Sequence, residues 1–278
     1  MIRGGNSSGF TLVESLIVLA VTALMFVSIA TIIGGKTSKV EFQTSINSMR
    51  QQIQQVINET QSGYFPDTGG YTCTAVSSAS PPTISAGSSE QGTNTGCVFL
   101  GKVMQFSTDS SLKTSSDFKY AVWPIVGNQN PGTTAEQKVG VNVFPTPLKP
   151  AQTSKALSFG LAPVKMTFDG IPTAGVGFLA GNNQGVIAAG GSNGLASGSQ
   201  TMSLYGIRNT TLTTSLASME SALKTPVTNY QNAAKVEICF ESGSTNQSGL
   251  ITIGKDNASG ANRALTVTLK IHNGKTCS

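Results

Sequence analysis

The sequence predicts an α+β protein, a long N-terminal helix packed on an antiparallel β-sheet head. Three observations carry this. An uncharged apolar run, Leu16 to Gly34, leads into apolar residues at helical spacing. The C-terminal part alternates apolar and polar side chains with period two. Four cysteines, Cys73, Cys97, Cys239 and Cys277, all follow the apolar run.

The helix comes first. Leu16 to Gly34 carries no charge and has the roughly 20 residues that cross a bilayer as one helix. Between Arg3 and Lys36 the only charged side chain is Glu14. An ionised carboxylate at the lip of a membrane span is costly unless it finds a partner. A plain anchor explains the apolar run and gives Glu14 no use. A secretory signal places its small-residue cleavage site after the apolar run, whereas here the small residue Gly9 precedes it.

After Gly34-Gly35, where the sequence permits a bend, the pattern changes. Phe42, Ile46, Met49, Ile53 and Val56 recur every four, then three, residues, with Ile57 beside them. The opposite face is polar: Glu41, Gln43, Asn47, Arg50, Gln51, Gln54 and Gln55. Gly63 supplies a stop and Pro66 follows. One helix is expected over residues 10–62, membrane-spanning in 10–35 and amphipathic in 36–62, with its stripe buried against a sheet. A free coiled coil would find only about two heptads here.

The N-terminal residues, MIRGGNSSG followed by FTLVE, resemble the prepilins of type IV pili and the related pseudopilins of type II secretion. In that family a short leader ends in Gly, the next residue is usually Phe, and the fifth residue of the mature chain is Glu. Gly9, Phe10 and Glu14 match in order and spacing, and Thr11-Leu12-Val13 between them is the family's usual wording. The likeness is strong over residues 1 to about 60 and weak beyond. It implies a leader peptide over 1–9, cleavage after Gly9 by a prepilin peptidase, and N-methylation of Phe10. It implies that Glu14 pairs with the new amine of a neighbouring subunit as helices stack into a fibre. Removing one partner of a buried charge pair costs about 3–5 kcal/mol, so the pair would also set the register. Other pilin subunits and an inner-membrane assembly platform are the implied partners. The implied route runs from the cytoplasmic membrane to an extracellular pilus. Lys36 and Lys39 follow the span, so the tally of positive charges does not favour a cytoplasmic leader. The cysteines and the resemblance do.

The head is expected over residues 63–278. It is rich in Gly, Ser and Thr, and the whole chain is only 11% charged, a surface common outside the cell. The cysteines form no CxxC and the single histidine is His272, which argues against zinc. An even count in an exported head suggests two disulfides. Three pairings are open. The sequence-local one, Cys73–Cys97 with Cys239–Cys277, is favoured, and free buried thiols are the remaining alternative.

Residues 64–96 read as a long loop. Strands are expected at Cys97–Phe106, Lys119–Val126 and Lys138–Phe144. FPTPLKP at 144–150 marks a sub-boundary near 145–150. Strand-like text resumes over 157–168. Residues 170–200 read as loop or short hairpins, with apolar pieces at Val176–Leu179 and Val186–Ala189; Gly175, Gly177 and Gly181 fall short of a nucleotide loop. Leu216, Met219 and Leu223 suggest a short helix stopped by Pro226. Then Val236, Ile238 and Phe240, Ile251 and Ile253, and Leu265, Val267, Leu269 and Ile271 read as an antiparallel meander with one wet face. Asn273-Gly274 is a turn pair before Cys277.

No catalytic constellation is visible, so no enzyme activity and no cofactor or metal are expected. There is one histidine, on the polar side of its strand pattern, and GxSxG does not occur. Asn209, Asn246 and Asn257 open N-x-S/T triplets, most simply by chance in so Ser/Thr-rich a chain. The leading function is a structural subunit of a type IV pilus or pseudopilus-like fibre that displays the head. The head's size fits a minor subunit. The alternative is a binding module, an adhesin or a DNA-uptake receptor. The net charge of +5, with Arg263, Lys270 and Lys275 near the tail, permits DNA contact without demanding it.

Overall fold

The computed structural model describes residues 11–63, 71–74, 81–87, 97–114, 117–128, 145–180, 202–243, 245–255 and 265–277. It divides into two compact units, Met1–Glu41 and Phe42–Ser278. The class is α+β, an apolar N-terminal helix and a large antiparallel β region.

The helix α1 spans Leu12–Gln61. It passes through Gly34-Gly35 without interruption. Each glycine costs about 1 kcal/mol relative to alanine in a helix interior, too little to break a helix of fifty residues. In the first unit the segment Leu12–Ile29 has a mean hydropathy of 2.4 and none of it is buried. By length and composition it is a helix able to cross a membrane.

In the second unit the remaining turns of α1 bury Phe42, Ile46, Met49, Ile53, Val56 and Ile57. These are the stripe residues expected from the spacing. The helix ends where Gly63, at φ 67°, donates its N–H to the Thr60 carbonyl. A left-handed residue just past the last turn is what glycine supplies without steric cost.

Two strands, β1 (Tyr71–Thr74) and β2 (Thr83–Ala86), form a separate antiparallel ribbon. The stretch read as a plain loop therefore carries local structure. A disulfide between Cys73 and Cys97 ties the ribbon to the start of β3 (Cys97–Phe106). β4 (Lys119–Asn128) pairs with β3 and runs two residues past the expected Val126. The expected strand at Lys138–Phe144 lies outside the described residues. Within FPTPLKP, β5 (Thr146–Pro147) pairs with β4, and β6 (Thr153–Ala156) pairs further along the same edge.

After β7 (Leu161–Phe168) and the short β8 (Ile171–Pro172), the chain enters β9 (Gly175–Ala180). This segment read as loop or hairpin text, yet β9 lies between β3 and β10 (Met202–Ile207). The correction has a physical cause. Phe178 and Leu179 are adjacent and both fully buried, in different hydrophobic clusters, so β9 is covered on both faces. Such a strand shows no alternation to read. Val103 and Met104 of β3 repeat the arrangement. β10 carries no expectation of its own. Val186–Ala189 lies outside the described residues.

Helix α2 (Leu216–Leu223) starts on Ser215, whose hydroxyl accepts from the Ser218 N–H. Met219 and Leu223 are its buried side chains. Pro226 both follows α2 and opens the one-turn helix α3 (Pro226–Asn229), a position where its missing N–H costs nothing. β11 (Tyr230–Asn232) then pairs with β10, and the seven-stranded sheet has the order β11-β10-β9-β3-β4-β5 with β6 also on β4.

The chain closes with β12 (Lys235–Ser242), β13 (Gln247–Lys255) and β14 (Leu265–Asn273), the expected meander. β7 and β8 extend it to a five-stranded sheet, β14-β13-β12-β7-β8. Val236, Ile238 and Phe240 are fully buried, as are Ile251 and Ile253. The inward pattern fades along β14, where Leu265 and Val267 are buried but Ile271 is 38% exposed. One hydrophobic cluster joins Ile46 and Ile53 of α1 with Met104, Phe178, Ile238 and Ile251 from the two sheets. At Gly249 of β13 the approach is close. A Cβ there would lie 2.5 Å from the tip of Ile46 and 3.2 Å from its Cγ1.

Candidate functional site

Two places merit attention, the start of α1 and the end of α1 within the second unit. Gly9 and Phe10, the expected cleavage and methylation positions, lie outside the described residues. Glu14 lies in the first turn of α1, and its side chain is exposed. Its N–H donates to the hydroxyl of Thr11 at 3.3 Å, while the Ser15 N–H donates to the Thr11 carbonyl. Thr11 thus caps the helix, with Glu14 three residues on, as in a capping box. Sequence reasoning passed over this ordinary use for Glu14, although T-x-x-E is legible. Magnitudes separate the two uses. A carboxylate on a helix N-terminus gains about 0.3–1 kcal/mol at an exposed site. That is small against the cost of placing an unpartnered charge at a membrane span. The cap uses the Thr11 hydroxyl and the Glu14 backbone N–H, and leaves the carboxylate needing a cation in an apolar setting.

At the other end of α1, Glu59 accepts a hydrogen bond from Lys102 of β3 at 2.6 Å. The Lys102 side chain is 4% exposed and that of Glu59 26%. Gln55 also donates to Glu59, at 2.6 Å. Burial pushes the Glu59 carboxyl up, but the hydrogen bonds from Lys102 and Gln55 and the charges of Lys102 and Lys155 hold it below its ordinary value. Two turns before Glu59, the Tyr120 hydroxyl donates to Gln52 Oε1. Burial, and then the Glu59 charge, push the Tyr120 phenol up to about 12. A cavity of about 200 Å³ opens beside these groups, walled also by Val56, Val122 and Pro124. Its polar side is closed by contacts between α1 and strands β3 and β4, which reads as a structural clasp. Sequence spacing could place Glu59 on the polar face of α1 but could not reveal Lys102, since a lysine inside a strand signals solvent.

The disulfides follow the favoured pairing, Cys73–Cys97 and Cys239–Cys277. The second one folds the tail over the outer face of the five-stranded sheet. There Glu241, Ser248 and His272 stand opposite one another on three adjacent strands. The row offers no nucleophile to solvent, because Ser248 is fully buried and its hydroxyl donates to the Thr276 carbonyl. His272 is not the solvated residue its alternation suggested. It is half-buried, and its Nε2 is enclosed without a hydrogen-bond partner. The tail beyond β14 reaches Cys239 on β12 and Ser248 and Gly249 on β13, and nothing in the strand pattern announces that.

Among the described residues no three His, Cys, Asp or Glu side chains converge as a metal site would require. Of the triplet asparagines, Asn209 is exposed and donates to Asn229 at 2.8 Å, and Asn246 is exposed in the β12–β13 turn. Asn257 and Arg263 lie outside the described residues, and Lys270 and Lys275 are exposed. No protein-family model, no curated protein and no solved structure matches the chain.

Proposed function

We propose that this chain is a pilin-like structural subunit, assembled into a fibre through the N-terminal part of α1 while residues 63–278 form the displayed head, with no catalytic role. The supporting observation is the composition of α1. Its segment Leu12–Ile29 is apolar and exposed, with a single carboxylate, Glu14, in the first turn. Its second-unit part is a stripe buried in the main cluster, which fits a helix packed on a sheet head. Two disulfides suit a head that works outside the cytoplasm. In this reading the chain is held in the cytoplasmic membrane before assembly, a prepilin peptidase removes residues 1–9, and the Phe10 amine becomes the cation that Glu14 of a neighbouring copy needs.

Sequencing the mature N-terminus after co-expression with a prepilin peptidase tests the reading. Phe10 should be the first residue, and it should carry a methyl group. An intact leader, or cleavage elsewhere, ends the proposal. In the same cells Glu14→Ala should remain in the membrane and disappear from sheared filaments.

A further inference from the structure

Phe159 is held in a backbone conformation that disfavours its side chain, and the residue stays more than half exposed. Its φ of 53° and ψ of 41° lie in the left-handed region, where a bulky residue is an outlier. Gly160 follows at φ 65°, so the left-handed pair makes a tight corner before β7. The corner is fastened on both sides. The Ser45 hydroxyl on α1 donates to the Ser158 carbonyl at 2.7 Å, and the Gly243 N–H donates to the Gly160 carbonyl at 3.2 Å. The ring is 56% exposed, and among the described residues of the second unit only Val164 and Ile271 are other large apolar side chains left in solvent. A glycine would take this conformation without strain. Strain that persists where its surroundings enforce it marks binding sites more often than chance.

We propose that Phe159 is a contact residue for a second copy of this chain, seating on the apolar surface of that copy's α1. This rests on the fibre reading above. An exposed aromatic ring calls for an apolar partner. The large exposed apolar surface that this chain itself owns is the first unit of α1, from Leu12 through Phe26 to Ile29. Knob and rod are different surfaces of the same chain, so the contact is head-to-tail and repeats without closing, the symmetry of an open filament.

Two measurements on the full chain test this. In Phe159→Gly the strain is relieved, so the melting temperature of the purified chain in detergent should rise by about 2–4 °C. Its filament yield should nevertheless fall about tenfold or more. A merely structural residue would move both in the same direction, and an undiminished yield overturns the proposal. Independently, p-benzoylphenylalanine placed at position 159 and irradiated in assembling cells should give an adduct of twice the chain mass. The captured peptide should come from residues 11–41 of the second copy. An adduct with lipid, an adduct within a head, or no adduct overturns the contact. If the unaltered chain makes no filaments, the fibre reading fails by itself. Irradiation of the purified chain in detergent then decides the contact alone, which stands on a dimer adduct through α1 and falls without one.

Discussion

The two parts of α1 share one backbone ladder and face opposite problems. From Phe42 to Ile57 the apolar residues occupy one stripe and are buried in the main hydrophobic cluster of the second unit. From Leu12 to Ile29, twelve large apolar side chains are exposed, and no polar face accompanies them. At about 1.5–3 kcal/mol per large side chain returned to water, that exposure would exceed the 5–15 kcal/mol by which a typical protein is stable. The comparison teaches where each half gets its cover. A stripe means that the same chain supplies it. A full circle is left exposed by the described residues, and in the fibre reading lipid or other copies supply its cover.

The largest effect that sharpens this contrast is a matched pair of truncations. Ile53→Ala should destabilise the second unit by about 2–5 kcal/mol, the range for deleting a fully buried aliphatic side chain. Leu19→Ala, with Leu19 67% exposed, should leave the thermal unfolding of that unit unchanged. Equal effects at the two positions, measured by calorimetry in detergent, would break the distinction.

A smaller effect concerns the clasp at the end of α1. Glu59→Gln removes the carboxylate that pairs with the buried Lys102 charge. It should cost about 1–3 kcal/mol, less than for a fully buried pair because Glu59 is a quarter exposed. The sign of the pH dependence follows from the same pair. Glu59 titrates below its ordinary 4.5 in the folded chain, so its contribution is present above that value and is lost as pH falls through the lowered one. The gap in melting temperature between the unaltered chain and Glu59→Gln should be full at pH 7 and shrink below pH 4.5. On the alkaline side, Tyr120 keeps its proton up to about 12 against an ordinary 10.0, so stability should decline as pH rises between those values. A flat gap between pH 3 and pH 7 would show that Glu59 is not held by Lys102.

Much of this fold is legible because burial on one face leaves a periodic trace. The stripe from Phe42 to Val56 and the alternation from Val236 to Phe240 both carry it. The trace vanishes where a strand is covered on both sides, as in β9, or where a segment is held by backbone pairing and a disulfide instead of burial, as in β1 and β2. It misleads at His272, which alternates as a surface residue and is half-buried. Of the candidate site, Glu14 and the four cysteines are readable as residue types at telling positions. Lys102 and Phe159 are not. Partnership across 43 residues and a left-handed backbone angle leave no mark in local composition.

The bare position at Gly249 turns this fold into a lock with a single pin. Ile46 fills the notch that the missing side chain leaves, so one added methyl, in Gly249→Ala, would act as a wedge driven between rod and sheet while altering no charge, no polar contact and no membrane-facing residue. A chain jammed in this way would loosen the head while leaving Leu12–Ile29 as it is, and under the proposed fibre reading it would separate the contributions of the two to polymer growth.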